Sequence, residues 1–289
     1  MNIKQFRFDG SKPLNLKKQE TNQKQDKSKR AEFLKIQKKQ ISRLSTIQEQ
    51  LYAEKKEGIV IVIQALDAGG KDSLIKHVMT GLNPQGVHVH SFKAPTSEEL
   101  SHDYLWRIHR RIPARGEIAV FNRSHYEDVI AVQVRGYHKA YVMADRIKKE
   151  SDQDFFAKRC RQISNFEEYL YENSYRVIKV FLNVSAKEQK KRFLERIDRP
   201  EKNWKFNVED LDDRALFGRY LETFEHVINQ TATHHSPWYV LPADQKWYTR
   251  YLFSSLLLEE LEKCGAAFPQ VSKEDQSKLQ LCRQRLEQE

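Results

Sequence analysis

Five consecutive β-branched residues, Ile59-Val60-Ile61-Val62-Ile63, constrain the fold more than any other feature of the chain. A run with no polar alternation suits a strand buried on both faces, as in a parallel sheet covered by helices. It leads into Leu66-Asp67-Ala68-Gly69-Gly70-Lys71, and a helical pattern follows from Asp72 to about Thr80. Further strands are expected at Val87–Phe92, Glu117–Asn122, Val177–Val184 and Trp238–Leu241. Helical patterns lie between them, over Ser97–Arg111, Ser124–Val134, Asp145–Tyr175, Ala186–Ile197, Asp210–Thr233 and Asp244–Cys264. Strands alternating with helices predict an α/β domain with a mainly parallel sheet.

No linker divides residues 58–265, so they read as one domain. Ahead of it, Ala31 to about Ala53 carries apolar residues at three- and four-residue steps, an amphipathic helix laid on the core. Residues 1–30 are rich in Lys, Gln, Asn and Ser and read as a loosely packed basic arm, dispensable for folding. Residues 266–289 read as a polar extension with a short surface helix.

Composition excludes several classes. No apolar run reaches the roughly 18 residues of a membrane span, and Met1–Phe6 has no secretory apolar core. Cys160, Cys264 and Cys282 show no metal-binding or disulfide spacing, so a reducing cytoplasm is the expected location. The net charge of +10 suggests a polyanionic partner. Most of it, +8, comes from residues 1–57. An anion site in the body must therefore come from local clustering.

The strand, loop, lysine and helix over residues 59–80 have the layout of a phosphate-binding loop. Ala68, Gly69 and Gly70 can turn backbone N–H groups toward phosphate oxygens, and Lys71 adds a point charge. The usual pattern is matched only in part. Ala65 stands where a first glycine is expected, and Asp72 replaces the hydroxyl residue that normally helps to hold Mg²⁺. Asp67 can supply the missing oxygen ligand, or simply shape the turn. Lys76, one helical turn on, is a further phosphate candidate.

A second signal is Glu117 to Asp128, an apolar strand ending in Asn122-Arg123-Ser124-His125-Tyr126-Glu127-Asp128. Ligands of open α/β sheets bind at the carboxyl ends of strands. Arg123 offers fixed charged donors to a transferring phosphoryl group. Glu127 and Asp128 can hold metal or substrate, or complement a helix dipole. His125 reads as a core or capping histidine.

These segments, with Lys93-Ala94-Pro95-Thr96, Trp106-Arg107-Ile108-His109 and Arg196 to Phe206, resemble the polyphosphate kinase 2 family, in the same order, from about Ala31 to about Leu261. The resemblance implies a thymidylate kinase-like P-loop kinase fold: a three-layer sandwich with a central parallel sheet and a helical lid at about 186–215. It implies Mg²⁺-dependent phosphoryl transfer between inorganic polyphosphate and nucleotides, with AMP and ADP as acceptors and ATP as a product. It makes Asp67, Lys71 and Arg123 the catalytic residues, Asp67 and Glu127 the metal ligands, and Asn122, Glu127 and Asp128 the nucleotide side of the site. Glu127 stands at the position associated with accepting a monophosphate. Members are also often dimers or tetramers, which implies a homo-oligomer here.

Lys190, Lys191, Arg192, Arg196, Arg199, Lys202 and Lys205 crowd into the lid, either as a track for a polyanion or as a solvated helix face. Lys93 and Arg110 are further polyphosphate candidates. Trp204 and Tyr248 read as packing residues. Two other functions fit parts of the sequence. An ATP-dependent kinase of the thymidylate type would share the loop, but the loop Ser/Thr is missing. A nucleic-acid-binding protein would share the charge, but no basic motif with interleaved aromatics is present.

Overall fold

A computed structural model describes residues 3–289 of the chain. Six strands form one sheet: β1 (Arg7–Phe8), β2 (Gly58–Gln64), β3 (Val87–Ser91), β4 (Ile118–Asn122), β5 (Tyr175–Asn183) and β6 (Trp238–Pro242). Their order across the sheet is β1-β6-β5-β2-β4-β3. All neighbours run parallel except β1, which pairs antiparallel with β6. Every residue of β2 is buried, as its β-branched run requires. Ile63 lies opposite Asn122 on one side and Val180 on the other. That register places the loop after β2 beside the turn after β4.

The larger helices are those the periodicity predicts, but several patterns are divided. The elements are α1 (Arg30–Glu54), α2 (Lys71–Val78), α3 (Ser97–Leu100), α4 (Trp106–His109), α5 (Ala131–Arg135) and α6 (Asp145–Lys148). They continue as α7 (Asp152–Glu172), α8 (Ala186–Asp198), α9 (Glu209–Ala215), α10 (Phe217–Thr231), α11 (Lys246–Glu262) and α12 (Lys273–Glu287). The pattern over 145–175 breaks at Ser151, whose hydroxyl accepts from the Asp154 N–H at 3.1 Å and caps α7. The pattern over 97–111 is split into α3 and α4, and residues 124–134 form a 3-10 turn, His125–Asp128, followed by α5. Apolar spacing cannot see such breaks, because a cap such as Ser151 leaves the spacing on either side unchanged.

Helices α1, α2 and α11 pack together in one layer, and α7 packs with α10 and β5 in another. Leu44, Ile47 and Leu51 of α1 are buried, and Phe33 meets the Tyr251 ring at 4.6 Å. The helix ends at Lys55 in a left-handed conformation, with its N–H bonded to the Leu51 carbonyl. No residue of α12 is buried. Among the described residues, no helix is long and apolar enough to cross a membrane.

The loosely packed arm expected over residues 1–30 is instead a strap fastened to the core. Ile3, Phe6, Leu14 and Leu16 are buried, and β1 adds an edge strand to the sheet. Asn229 of α10 accepts from the Leu14 N–H at 2.7 Å and donates to its carbonyl at 3.0 Å. Glu225 accepts from the Leu16 N–H at 2.7 Å. The Gln245 side chain accepts from the Gln25 backbone N–H at 3.1 Å and donates to its carbonyl at 3.0 Å, which extends the attachment to the start of α11. An extended segment held by partners more than two hundred residues away has no period of its own, so its anchors look like scattered apolar residues. Phe6→Ala should destabilise the protein by about 3–5 kcal/mol, as for other buried aromatics. Urea denaturation checks this; a loss below about 1 kcal/mol would return the segment to a dispensable arm.

Candidate active site

Residues 65–71 form a tight loop between β2 and α2. Gly70 adopts φ +106°, a left-handed conformation that a side chain would strain. At Gly69 a Cβ would come within 2.7 Å of the Leu66 carbonyl oxygen. Ala68 has φ +55° despite its side chain, a local strain of the kind held at binding sites.

The loop is fixed from behind by α8. Gln189 donates to the Asp67 carbonyl at 3.0 Å. Arg192, itself buried, donates to the carbonyls of Ala68 at 3.1 Å and Gly69 at 2.9 Å. A trans peptide points its N–H opposite to its carbonyl. The carbonyls of Asp67 and Gly69 face α8, so the N–H groups of Ala68 and Gly70 face away from it. Helix α2 starts at Gly70 with no side-chain cap, which leaves its first N–H groups for an anion.

Lys71 is buried under this turn. Its Nζ donates to the Ala65 carbonyl at 2.9 Å and approaches that of Leu66 at 3.4 Å. Burial, then the Arg123 charge, pull its ammonium down to about 8, against the opposing pull of Asp67, Glu127 and Asp72.

Arg123 stands across from the loop at the end of β4, with φ +65°. Its guanidinium bonds Asp67 and also Glu127, the latter at 3.3 Å. Glu127, first, and Asp67 hold it above the ordinary arginine range despite its burial. With its amide oriented to satisfy both ends, the buried Gln64 donates to Glu127 at 2.9 Å and accepts from Ser124. Asn122 donates to Asp72 at 2.8 Å. Burial pushes the Asp72 carboxyl up, but Asn122, Lys205 and Lys71 together hold it below the usual carboxylate range.

The turn carrying these groups rests on a buried polar cluster. Lys179 of β5 and Glu167 of α7 pair at 2.6 Å, both fully excluded from water. Glu167 also accepts from Tyr126 at 2.8 Å and from Ser236 at 3.1 Å, and His125 stands 3.4 Å away. Lys179 donates further to the Thr231 carbonyl at 2.7 Å. His125 and Tyr126 lie between Arg123 and Glu127 in sequence, so this cluster fixes both.

In front lies a cleft of about 1160 Å³. Asp67, Arg123, Glu127, Asp128, Lys93 and Asp210 are among its lining residues. Burial pushes the Asp128 carboxyl up to about 6, although Arg159 and the Tyr141 hydroxyl, 3.3 Å away, oppose it. Asp210 is also raised, by burial and then by the Asp67 charge.

Comparison with known proteins decides the assignment. The polyphosphate kinase 2 family model matches residues 23–268. The chain belongs to the polyphosphate kinase 2 family. It is 46% identical over 228 residues to a Meiothermus ruber protein named AMP/ADP-polyphosphate phosphotransferase, covering 79% of this chain and 80% of the relative. It is 39% identical over 285 residues to a Rhodopseudomonas palustris protein named ADP-polyphosphate phosphotransferase, covering 98% of each. The crystal structure of polyphosphate kinase 2 from Arthrobacter aurescens superposes with a TM-score of 0.84 at 33% identity, over 96% of this chain and 95% of that one. The P-loop kinase fold expected from the sequence is the fold observed.

Within this member of the family, the structure brings Asp67, Ala68, Gly69, Gly70, Lys71, Arg123 and Glu127 together. Two expected phosphate contacts fall elsewhere. Lys76 is exposed on α2 and does not line the cleft. Arg110 is exposed too, its guanidinium over the Trp106 ring at 4.6 Å. The lid cations are already engaged: Arg196 with Asp210 at 3.2 Å, Arg199 with Glu195 and Glu201, Lys202 with Glu195, and Lys205 with Asp72 at 3.6 Å. Trp204 is no packing residue; it is 79% exposed. Tyr248 is buried as expected.

Sequence reasoning missed the support that Gln189 and Arg192 give to the loop. Their spacing with Phe193 places all three on one face of α8, the signal that could have marked them as inward. Lys179→Met should cost about 3–5 kcal/mol by leaving Glu167 charged and unpaired. Adding Glu167→Leu should restore much of the loss. Thermal melts of the single and double variants check this; equal melting temperatures for wild type and single variant would refute it.

Proposed function

We propose that this protein transfers the terminal phosphoryl group of inorganic polyphosphate to AMP and to ADP, in an Mg²⁺-dependent reaction. The carrying observation is that Asp67, Arg123 and Glu127 line one cleft, with Lys71 buried under the loop that holds Asp67 and that lacks the usual hydroxyl residue. The names of the relatives from Meiothermus ruber and Rhodopseudomonas palustris support the substrate class.

An acceptor phosphate oxygen attacks the terminal phosphorus of the chain. One P–O bond forms, the bridging P–O bond opposite breaks, and polyphosphate leaves one unit shorter. The acceptor oxygen is already ionised at neutral pH, so no strong base is required. The N–H groups of Ala68 and Gly70 hold phosphate oxygens in place. Lys71 and Arg123 neutralise charge on the transferring group. The donor set suits magnesium, which binds through one or two carboxylates and keeps substrate phosphates as its other ligands. Asp67 and Glu127 would hold it. When bound, Mg²⁺ supplies charge neutralisation to the phosphate oxygens.

The decisive assay supplies polyphosphate, Mg²⁺ and AMP or ADP, and resolves the products by chromatography. Turnover with ATP as donor and none with polyphosphate would instead mark a thymidylate-type kinase.

Lys71 gives a pH signature. Its protonated form binds anions, so kcat/KM for polyphosphate should be full below about pH 8 and fall as pH rises through it. Lys71→Arg should move that limb upward, and Lys71→Ala should reduce turnover by a factor on the order of 10²–10³. An unchanged alkaline limb in Lys71→Arg would remove Lys71 from this role.

Glu127 separates the acceptors. With the base held in one place, a diphosphate fills space beside Glu127 that a monophosphate leaves open. A carboxylate can keep a cation in that space, and an uncharged amide does so poorly. Glu127→Asn should therefore lower kcat/KM for AMP far more than for ADP. Equal losses with both acceptors would assign Glu127 to holding Arg123 alone.

A further inference from the structure

The basic side chains of the lid fall into two electrostatic classes. Arg196, Arg199, Lys202 and Lys205 each face an acid within ion-pair distance. Lys187, Lys190 and Lys191 of α8 pair with no acid among the described residues. All three are exposed. Their i, i+3, i+4 spacing puts them on one face of the helix.

They line a shallow depression of about 450 Å³ together with Arg199, Glu195 and Asp198. Glu195 is already neutralised by Lys202, by Arg199 at 3.4 Å and by Lys246 at 3.8 Å. The depression is therefore positive overall. The opposite face of α8 carries Gln189 and Arg192 against the phosphate loop. The two faces are separated by one helix thickness, about 10–12 Å.

The N-terminal strap passes the start of the same helix. Asn183 donates to the Gln19 carbonyl at 3.3 Å. Asp244 accepts from the Thr21 hydroxyl at 3.0 Å and from the N–H of Ser185, the N-cap of α8, at 2.8 Å. Lys17 and Lys18, just before these contacts, are exposed and pair with no acid among the described residues.

We propose that the outer face of α8, continued by Lys17 and Lys18, is an exosite for the distal part of a long polyphosphate chain whose reacting end lies in the phosphate loop. The proposal rests on the polyphosphate-transfer reading above and deepens it. A flexible chain with a charge on every unit needs a track of cations and no shaped pocket, and lysines on long stems suit that. Once the reacting end is bound, the second contact is intramolecular and gains from a high local concentration. A short chain cannot span both places and gains nothing. Single-stranded RNA shares the charge, but it binds through aromatic stacking platforms as well. The depression has no aromatic lining residue.

The test is the triple variant Lys187→Gln, Lys190→Gln, Lys191→Gln in the full chain. Binding of long-chain polyphosphate and of tripolyphosphate is measured by calorimetry over a salt series, alongside turnover with ADP. The exosite predicts Kd and KM for the long chain raised roughly tenfold, with tripolyphosphate binding and kcat unchanged. The log–log salt dependence for the long chain should flatten by about 2, as three charge contacts are lost. The corresponding triple arginine variant should keep long-chain affinity.

Unchanged long-chain affinity at low salt, or equal weakening for both lengths, would overturn the exosite while leaving the transfer reaction intact. RNA of similar length that binds the same face and resists displacement by polyphosphate would also overturn it. Wild-type protein that binds neither polyphosphate would refute the transfer reading itself, a separate result.

Discussion

Glu167 and Lys179 meet at 2.6 Å with no exposure to water, and the working end of the sheet depends on that contact. Removing two charges from solvent costs several kcal/mol each, so the pair is tolerable only with its remaining hydrogen bonds filled. Tyr126, Ser236 and the Thr231 carbonyl fill them. The consequence is geometric. Tyr126 cannot leave without taking a hydrogen bond from a buried charge, which anchors the turn after β4. Arg123, three residues before Tyr126, is thereby held at φ +65° beside Asp67 and Glu127.

The phosphate loop is stabilised in a complementary way. Its carbonyls are taken from two sides, by Lys71 from below and by Gln189 and Arg192 from α8. The N–H groups of Ala68 and Gly70 point away from α8. The loop's acceptors are thus satisfied while donors of Ala68 and Gly70 are left over. The lowered pKa of Lys71 has the same origin, since a buried ammonium hydrogen-bonded to carbonyls is still poorly solvated.

The lid and the strap distribute positive charge differently from the way the composition suggests. Much of the cationic excess lies in residues 1–57, yet the first part of that segment is bound to α10, β6 and the start of α11 rather than free. The lid cations nearest the loop are balanced by acids of their own segment or of α2. They form a network in which Lys205 already links the lid to Asp72.

By itself the sequence determined five of the six strands and the loop after β2. The β-branched run at 59–63 could be little else than a fully buried strand. Gly70-Lys71 and Asn122 to Asp128 carried the site because both follow strands directly and need only strand ends to be placed. Tertiary structure decided the rest. It set the breaks within helical patterns, which arise from caps such as Ser151. It decided that residues 1–30 are a strap, because Asn229 and Glu225 hold the backbone of Leu14 and Leu16 from a distant helix. It turned Arg192 inward to support the loop and left Lys187, Lys190 and Lys191 outward, paired with no acid among the described residues. Residue type gives a side chain its charge and size. Which neighbour satisfies that charge depends on segments far apart in the chain, and local spacing carries no record of them.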